Sequence, residues 1–173
     1  MRQPNNAKNK SVRQTLLIVG EGDAEVIFVR HVKAVCAESV GRSVQTINAH
    51  GKGGMHVLQK AINHMKNRDY DKVVLLLDTD IDWSNAERAK AAKKRIGVIE
   101  STPCLEAWLL QIAGVQVEGD TRVCKRAFHG QFGCEAHQDG YMEKHFSREI
   151  LDKARDQVPQ LNELMNHMGI AKQ

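Results

Sequence analysis

The residues in this chain best equipped for chemistry are carboxylates, and they come in two tight groups. One is Glu21-Gly-Asp-Ala-Glu25 and the other is Asp78-Thr-Asp80-Ile-Asp82, with Glu100 and Glu106 further on. A single acid in such a place is ordinarily a helix cap or a turn former. That reading suits Asp23 alone, and Asp82 alone. It does not suit Glu21, Asp78 and Asp80 together, because three caps rarely converge. Two unit charges about 4 Å apart repel by about 4 kcal/mol at an effective dielectric near 20. A helix N-terminus returns only about 0.3–1 kcal/mol per group. A hard divalent cation can offset such a cluster, and ligands that are all oxygen select magnesium, manganese or calcium over zinc.

These acids need a frame that brings them together. Thr15–Val19 is a short β-type run closed by Gly20 and Gly22. From Asp23, apolar positions at helical spacing predict a helix to about Ser39, in which Glu21 and Glu25 share a face if the helix begins early enough. Ser43–Ala49 is a second strand, followed by a helix from Met55 to about Lys66. Lys72–Leu77 is apolar on both faces, as a central parallel strand covered by helices must be, and stops at Asp78. Ala86–Arg95 is a basic helix, and Ile96–Ile99 a fourth strand followed by Glu100. Pro103 suits the first position of a helix through Ile112. Asp120 to Met168 carries helical patterns and no strand run. Alternating strands and helices predict an α/β fold with an open, mainly parallel four-stranded sheet and a helical C-terminal extension. In such sheets sites lie beyond the carboxyl ends of the strands, where the acids fall. The expected division is a flexible basic arm over 1–13, a catalytic core over 14–113, and an extension over 114–173 packed on it.

Bulk composition narrows the class without naming a function. With 173 residues, 42% of them hydrophobic, the chain suits one globular domain. No apolar run approaches the roughly 18–20 residues that span a bilayer. The four cysteines form no CxxC pair, which fits free thiols in a reducing compartment, and a cytoplasmic location is expected. The net charge of +4 permits a polyanion partner without demanding one.

Other motifs carry less. Gly51-Lys-Gly-Gly54 lacks the Ser or Thr that a phosphate loop places after its lysine. It reads as a tight turn whose Lys52 either contacts a substrate phosphate or simply faces solvent. Lys90, Lys93 and Lys94 on the basic helix either hold a nucleic-acid backbone or form a solvated face. Cys124, His129, Cys134 and His137 have zinc-binding chemistry but no paired nucleus. Trp108 is a core anchor, and Trp83, beside the acids, is a core residue or a platform for a base.

Glu21-Gly-Asp-Ala-Glu25 after one strand and Asp78-Thr-Asp80 after a longer one resemble the Toprim signature of topoisomerases, bacterial primases and OLD-family nucleases. Ser101-Thr-Pro-Cys-Leu-Glu106-Ala-Trp-Leu-Leu110 is similar to a segment of the RloB-like proteins, small Toprim proteins often encoded beside an ATPase in restriction or phage-defence loci. Thr102 and Leu105, both just before Glu106, depart from that segment. The resemblance implies a Toprim-like fold and a magnesium- or manganese-dependent nuclease. It implies Glu21, Asp78 and Asp80 as catalytic residues. It also implies Glu21, Glu25, Asp78, Asp80 and Glu106 as metal ligands, with Asp82 as a further candidate. Lys52, Lys90, Lys93, Lys94 and Lys125 are the expected nucleic-acid contacts. DNA is the expected substrate, an ABC- or SMC-type ATPase the expected partner, and a homodimer one admissible assembly. The alternatives are a non-cleaving subunit that binds nucleic acid or an ATPase, and nucleotidyl transfer as in primases.

Overall fold

The computed structural model describes residues 13–172. Of the expected basic arm only Arg13, exposed, falls among them; the rest of the arm lies outside the described residues. The elements are β1 (Thr15–Gly20), α1 (Asp23–Val35), β2 (Ser43–Asn48), α2 (Gly54–Asn67), β3 (Lys72–Asp78), α3 (Asn85–Lys93), β4 (Ile96–Ser101) and α4 (Leu105–Ile112). After these come α5 (Thr121–Phe132), α6 (Met142–His145), α7 (Arg148–Ala154) and α8 (Pro159–His167).

The four strands are all parallel and run in the order β2-β1-β3-β4. Side chains along a strand alternate between the two faces of a sheet, and the apolar runs obey that period. Leu16, Ile18, Val74, Leu76 and Ile99 face one core, with α1, α4 and the C-terminal helices. Leu17, Val19, Val73, Leu75 and Leu77 face the other, with α2, α3 and Trp83. Both inner strands are therefore buried on both sides. That is why β1 and β3 contain no polar residue between their first and last positions.

Beyond single-residue shifts at element ends, the sequence-based expectations differ from the structure at five places, one of them α3, which ends at Lys93 rather than Arg95. The first helix stops at Val35 and gives way to a single 3-10 turn over Ala37–Ser39. Strand β4 runs on through Ser101, so Glu100 lies within it. Pro103 does not begin α4; Cys104 caps that helix and Leu105 is its first residue. Glu21 lies outside α1, which is capped by Gly22, so Glu21 and Glu25 do not share a helix face. Instead the Gly22 amide donates to Glu25 Oε2 at 2.8 Å, folding the carboxylate back over the start of its own helix.

Candidate acid site

The strand order creates the site. The connection from β1 leads to β2 on one side, while β3 leads to β4 on the other. The crevice between β1 and β3 is thus a topological switch point, where open α/β sheets bind ligands. Glu21 follows β1 and Asp78 ends β3, so the two acids are neighbours although far apart in the chain. The Glu21 amide continues the ladder by donating to the Leu76 carbonyl at 3.2 Å.

Two helix starts close the crevice from one face of the sheet. Glu25 lies in the first turn of α1 and Glu106 in the first turn of α4, and both side chains are buried. With Asp78, Lys125 and His137 they line a cleft of ≈250 Å3. The loops beyond β3 and β4 are tied together, since the Thr79 amide donates to Ser101 O at 2.9 Å and the Asp80 amide to Pro103 O at 3.2 Å. Ser101 Oγ donates to Asp78 Oδ1 at 2.8 Å, holding that carboxyl at the mouth of the sheet. Asp80 is exposed and accepts from Thr121 Oγ1 at the start of α5.

Electrostatics mark the cleft as a place of unbalanced negative charge. Burial pushes Asp78 up to about 8, and the fields of Glu25, Glu21 and Asp80 add to the rise against the Ser101 hydrogen bond. Burial likewise raises Glu25, with Glu21 and Glu106 contributing and the Gly22 amide opposing. Glu21 is raised by burial and by Asp80, with the Asp78 backbone amide and Lys125 acting the other way. Glu21 Oε2 is buried with no hydrogen-bond partner. Lys125 carries the local positive charge. Its burial lowers its pKa, but Glu106, Cys104, Asp78 and Asp80 together raise it. Cys104, wedged behind Glu106, is pushed up to about 12 by burial and by the neighbouring acids, so its thiol stays protonated.

Glu21, Glu25, Asp78, Asp80, Glu106 and Lys125 thus gather around one crevice. The side chains remain apart as they stand: among the described residues, no three His, Cys, Asp or Glu are grouped tightly enough to hold a metal ion. Glu25 is engaged with Gly22, Asp78 with Ser101 and Asp80 with Thr121. Glu21 Oε2 is uncommitted, and every carboxylate donor is a hard oxygen, the chemistry that magnesium and manganese accept.

Other expected site residues lie elsewhere. Glu100 is paired with Arg88 at 2.5 Å and takes no part in the acid group. The segment after Asp78 turns rather than extends, so Asp82 does not share a face with Asp78 and Asp80. The Asp82 carbonyl accepts from the Gly54 amide at 3.2 Å, and its side chain is exposed. Trp83 is buried in the second core and is no open platform for a base. Lys52 is exposed on a turn in which His50, Gly51, Lys52 and Gly53 all have positive φ, anchored by the Gly51 amide on Glu21 O at 2.8 Å. The turn therefore packs beside the acids. Lys93 and Lys94 do not. They immediately precede β4, whose first residue Ile96 pairs with Val73 at the opposite end of β3, about 17 Å from Asp78 at 3.3 Å per residue. Cys124 is buried, Cys134 half-buried, and His129 and His137 exposed, and they form no zinc group. Sequence reasoning missed Ser101 and Thr121, which position Asp78 and Asp80. Ser101 opens the segment that resembles the RloB-like proteins, which is the signal that could have marked it, whereas a hydroxyl just after a helix cap, as at Thr121, carries none of its own.

Against models of protein families, residues 16–167 match the one described as RloB-like protein. No curated protein and no solved structure matches the chain.

Proposed function

This chain belongs to the RloB-like family, and from that premise we propose that the acid crevice is the site of a divalent-metal-dependent nuclease acting on nucleic acid, DNA before RNA. One observation carries the reading: Asp78, at the switch point, is raised to about 8 by burial among Glu25, Glu21 and Asp80, a concentration of negative charge that Lys125 alone does not balance. A magnesium or manganese ion fits the all-oxygen donor set and the uncommitted Glu21 Oε2. Asp78 and Glu21 would hold it at the strand ends, Glu25 and Glu106 from the helix starts, and Asp80 from the loop. When bound, the ion supplies Lewis acidity for displacement at phosphorus.

The chain's own residues have separable tasks. Ser101 orients the Asp78 carboxyl through its hydroxyl. Thr121 does the same for Asp80 and links it to α5. Glu21, with its raised pKa, can accept and return a proton at the crevice mouth. Lys125 offers a cation to a substrate phosphate in the same cleft. Phage defence alongside an ABC- or SMC-type ATPase is the cellular setting we propose with this chemistry.

The alternative is a subunit that binds nucleic acid or an ATPase without cutting. It is favoured by the separation of the carboxylates, none of which are pre-grouped for a metal. One experiment divides the two readings. Labelled plasmid, single-stranded DNA and RNA are incubated with the protein in magnesium or manganese, with and without the ATPase. The nuclease reading expects cutting that stops in chelator and is lost in Asp78→Ala with the fold retained. Cutting by Asp78→Ala at the wild-type rate would remove the site, and no cutting under any condition would favour the binding subunit.

A further inference from the structure

Helix α5 leaves the acid crevice as a continuous basic stripe. Arg122, Lys125, Arg126 and His129 are all exposed and spaced i, i+3, i+4, i+7, which places them on one face. The opposite face carries the buried Cys124 and Phe128 and packs against the core. No acid occurs between Thr121 and Phe132. The carboxylate that immediately precedes the helix in the chain, Asp120, is occupied as its cap, accepting from the Val123 amide at 3.0 Å. Its contact with Arg122 at 3.3 Å joins side chains 56% and 89% exposed, an arrangement that holds an arginine only weakly.

Both ends of this helix meet a concavity. At its start Thr121 touches Asp80 and Lys125 enters the acid cleft. About 18 Å further on, at 1.5 Å per residue, its last turn opens on a second pocket of ≈350 Å3. Gln111, Gln131 and Gln157 line that pocket with Phe132, Lys144 and Lys153, and no carboxylate does. Side-chain amides both donate and accept, as base edges require, an aromatic face supports stacking, and lysines suit phosphate. By contrast, α3 carries its terminal lysines to the opposite end of the strands, and its Arg88 is already paired with Glu100.

We propose that a single strand of nucleic acid reaches the acid crevice along α5, its phosphates on Arg122, Lys125 and Arg126, with one unstacked base in the Gln131–Gln157 pocket. This rests on the reading of the crevice as a nucleic-acid site and names the strand's path through it.

The test measures binding of a fluorescent single-stranded oligonucleotide in chelator, where no metal-dependent cutting intervenes. The combined variant Arg122→Gln/Arg126→Gln, at wild-type melting temperature, should bind at least tenfold more weakly at low salt. Its plot of log affinity against log salt should flatten by about 1.4, about 0.7 for each of two lost single-strand phosphate contacts. The combined variant Lys90→Gln/Lys93→Gln/Lys94→Gln should change neither quantity. Gln131→Ala/Gln157→Ala should weaken binding of the oligonucleotide and leave binding of inorganic polyphosphate, which has no bases, unchanged. An α5 variant with the wild-type slope, a loss that follows α3 instead, or a wild-type chain that binds no strand would each overturn the proposal. Cutting assays on the same proteins separate the two readings. Binding that depends on α5 without any cutting sinks the nuclease alone, and cutting that ignores α5 sinks the strand path alone.

Discussion

In the metal-free protein burial first, and then the fields of Glu25, Glu21 and Asp80, raise the pKa of the Asp78 carboxyl from 3.8 to about 8. The native state therefore binds more protons than the unfolded chain between those values, so this group makes stability fall as pH rises from about 4 to about 8. Asp78→Asn keeps an oxygen for Ser101 Oγ and removes the charge. In chelator at pH 8 it should be more stable than wild type by about 1–3 kcal/mol after solvent screening, with the difference shrinking towards pH 4. Thermal melts across that range check it; a variant less stable than wild type at pH 8 would mean that Asp78 is held chiefly by its hydrogen bond. Metal binding must displace the same proton, so manganese affinity measured by calorimetry should climb between pH 6 and pH 8. Manganese should also raise the wild-type melting temperature and raise that of Asp78→Asn much less.

Elements are set against each other here by glycines that permit close approach. A Cβ at Gly20, the last residue of β1, would stand 2.8 Å from Glu25 Cβ and 3.3 Å from Val26 Cγ2 in the first turn of α1. The strand end and the helix start can touch only because one has no side chain, and that contact sets Glu25 over the crevice. Gly20→Ala should cost about 1–3 kcal/mol through overpacking and should weaken manganese binding, because the start of α1 must move. Melting in chelator and calorimetric titration with manganese read the two effects separately. Unchanged manganese affinity in a destabilised variant would make Gly20 a packing residue only. The two basic helices differ in the same geometric sense. α3 begins near the crevice and carries its lysines away from it, whereas α5 keeps its basic stripe along a line that starts at the acids.

For the whole molecule, the C-terminal helices form part of the core beneath the site. Phe128, Phe146, Leu151, Leu161, Leu164 and Met165 join Phe28, Val32, Trp108 and Leu109 in one buried cluster. Arg155, 5% exposed, binds Asn162, Asn166 and the Ile170 carbonyl, tying α7 to α8 and to the residues that follow it. A chain cut after Gly114 exposes that apolar face of α1 and α4 and loses Thr121 and Lys125. It should lack a cooperative melt and bind hydrophobic dye, whereas the full chain should unfold in a single transition. A fragment with a sharp transition of its own would show that the core over residues 14–113 is self-sufficient and that the remaining helices are an appendage.

The sequence alone determined the alternation of strands and helices, the doubly buried character of β1 and β3, and the acids at the strand ends. Each is written in local periodicity and in residue type, which short-range backbone geometry reads directly. It also carried enough of the family pattern around Glu21, Asp78 and Glu106 to suggest where the chemistry lies. What only the tertiary structure decided is which acids meet. Strand order places Glu21 beside Asp78, Arg88 removes Glu100, and the turn after Asp78 takes Asp82 aside. Tertiary structure also turned the lysines of α3 away and supplied Ser101 and Thr121 as partners for the acids. These outcomes depend on contacts between residues distant in the chain, and no local pattern encodes the distance between two strand ends.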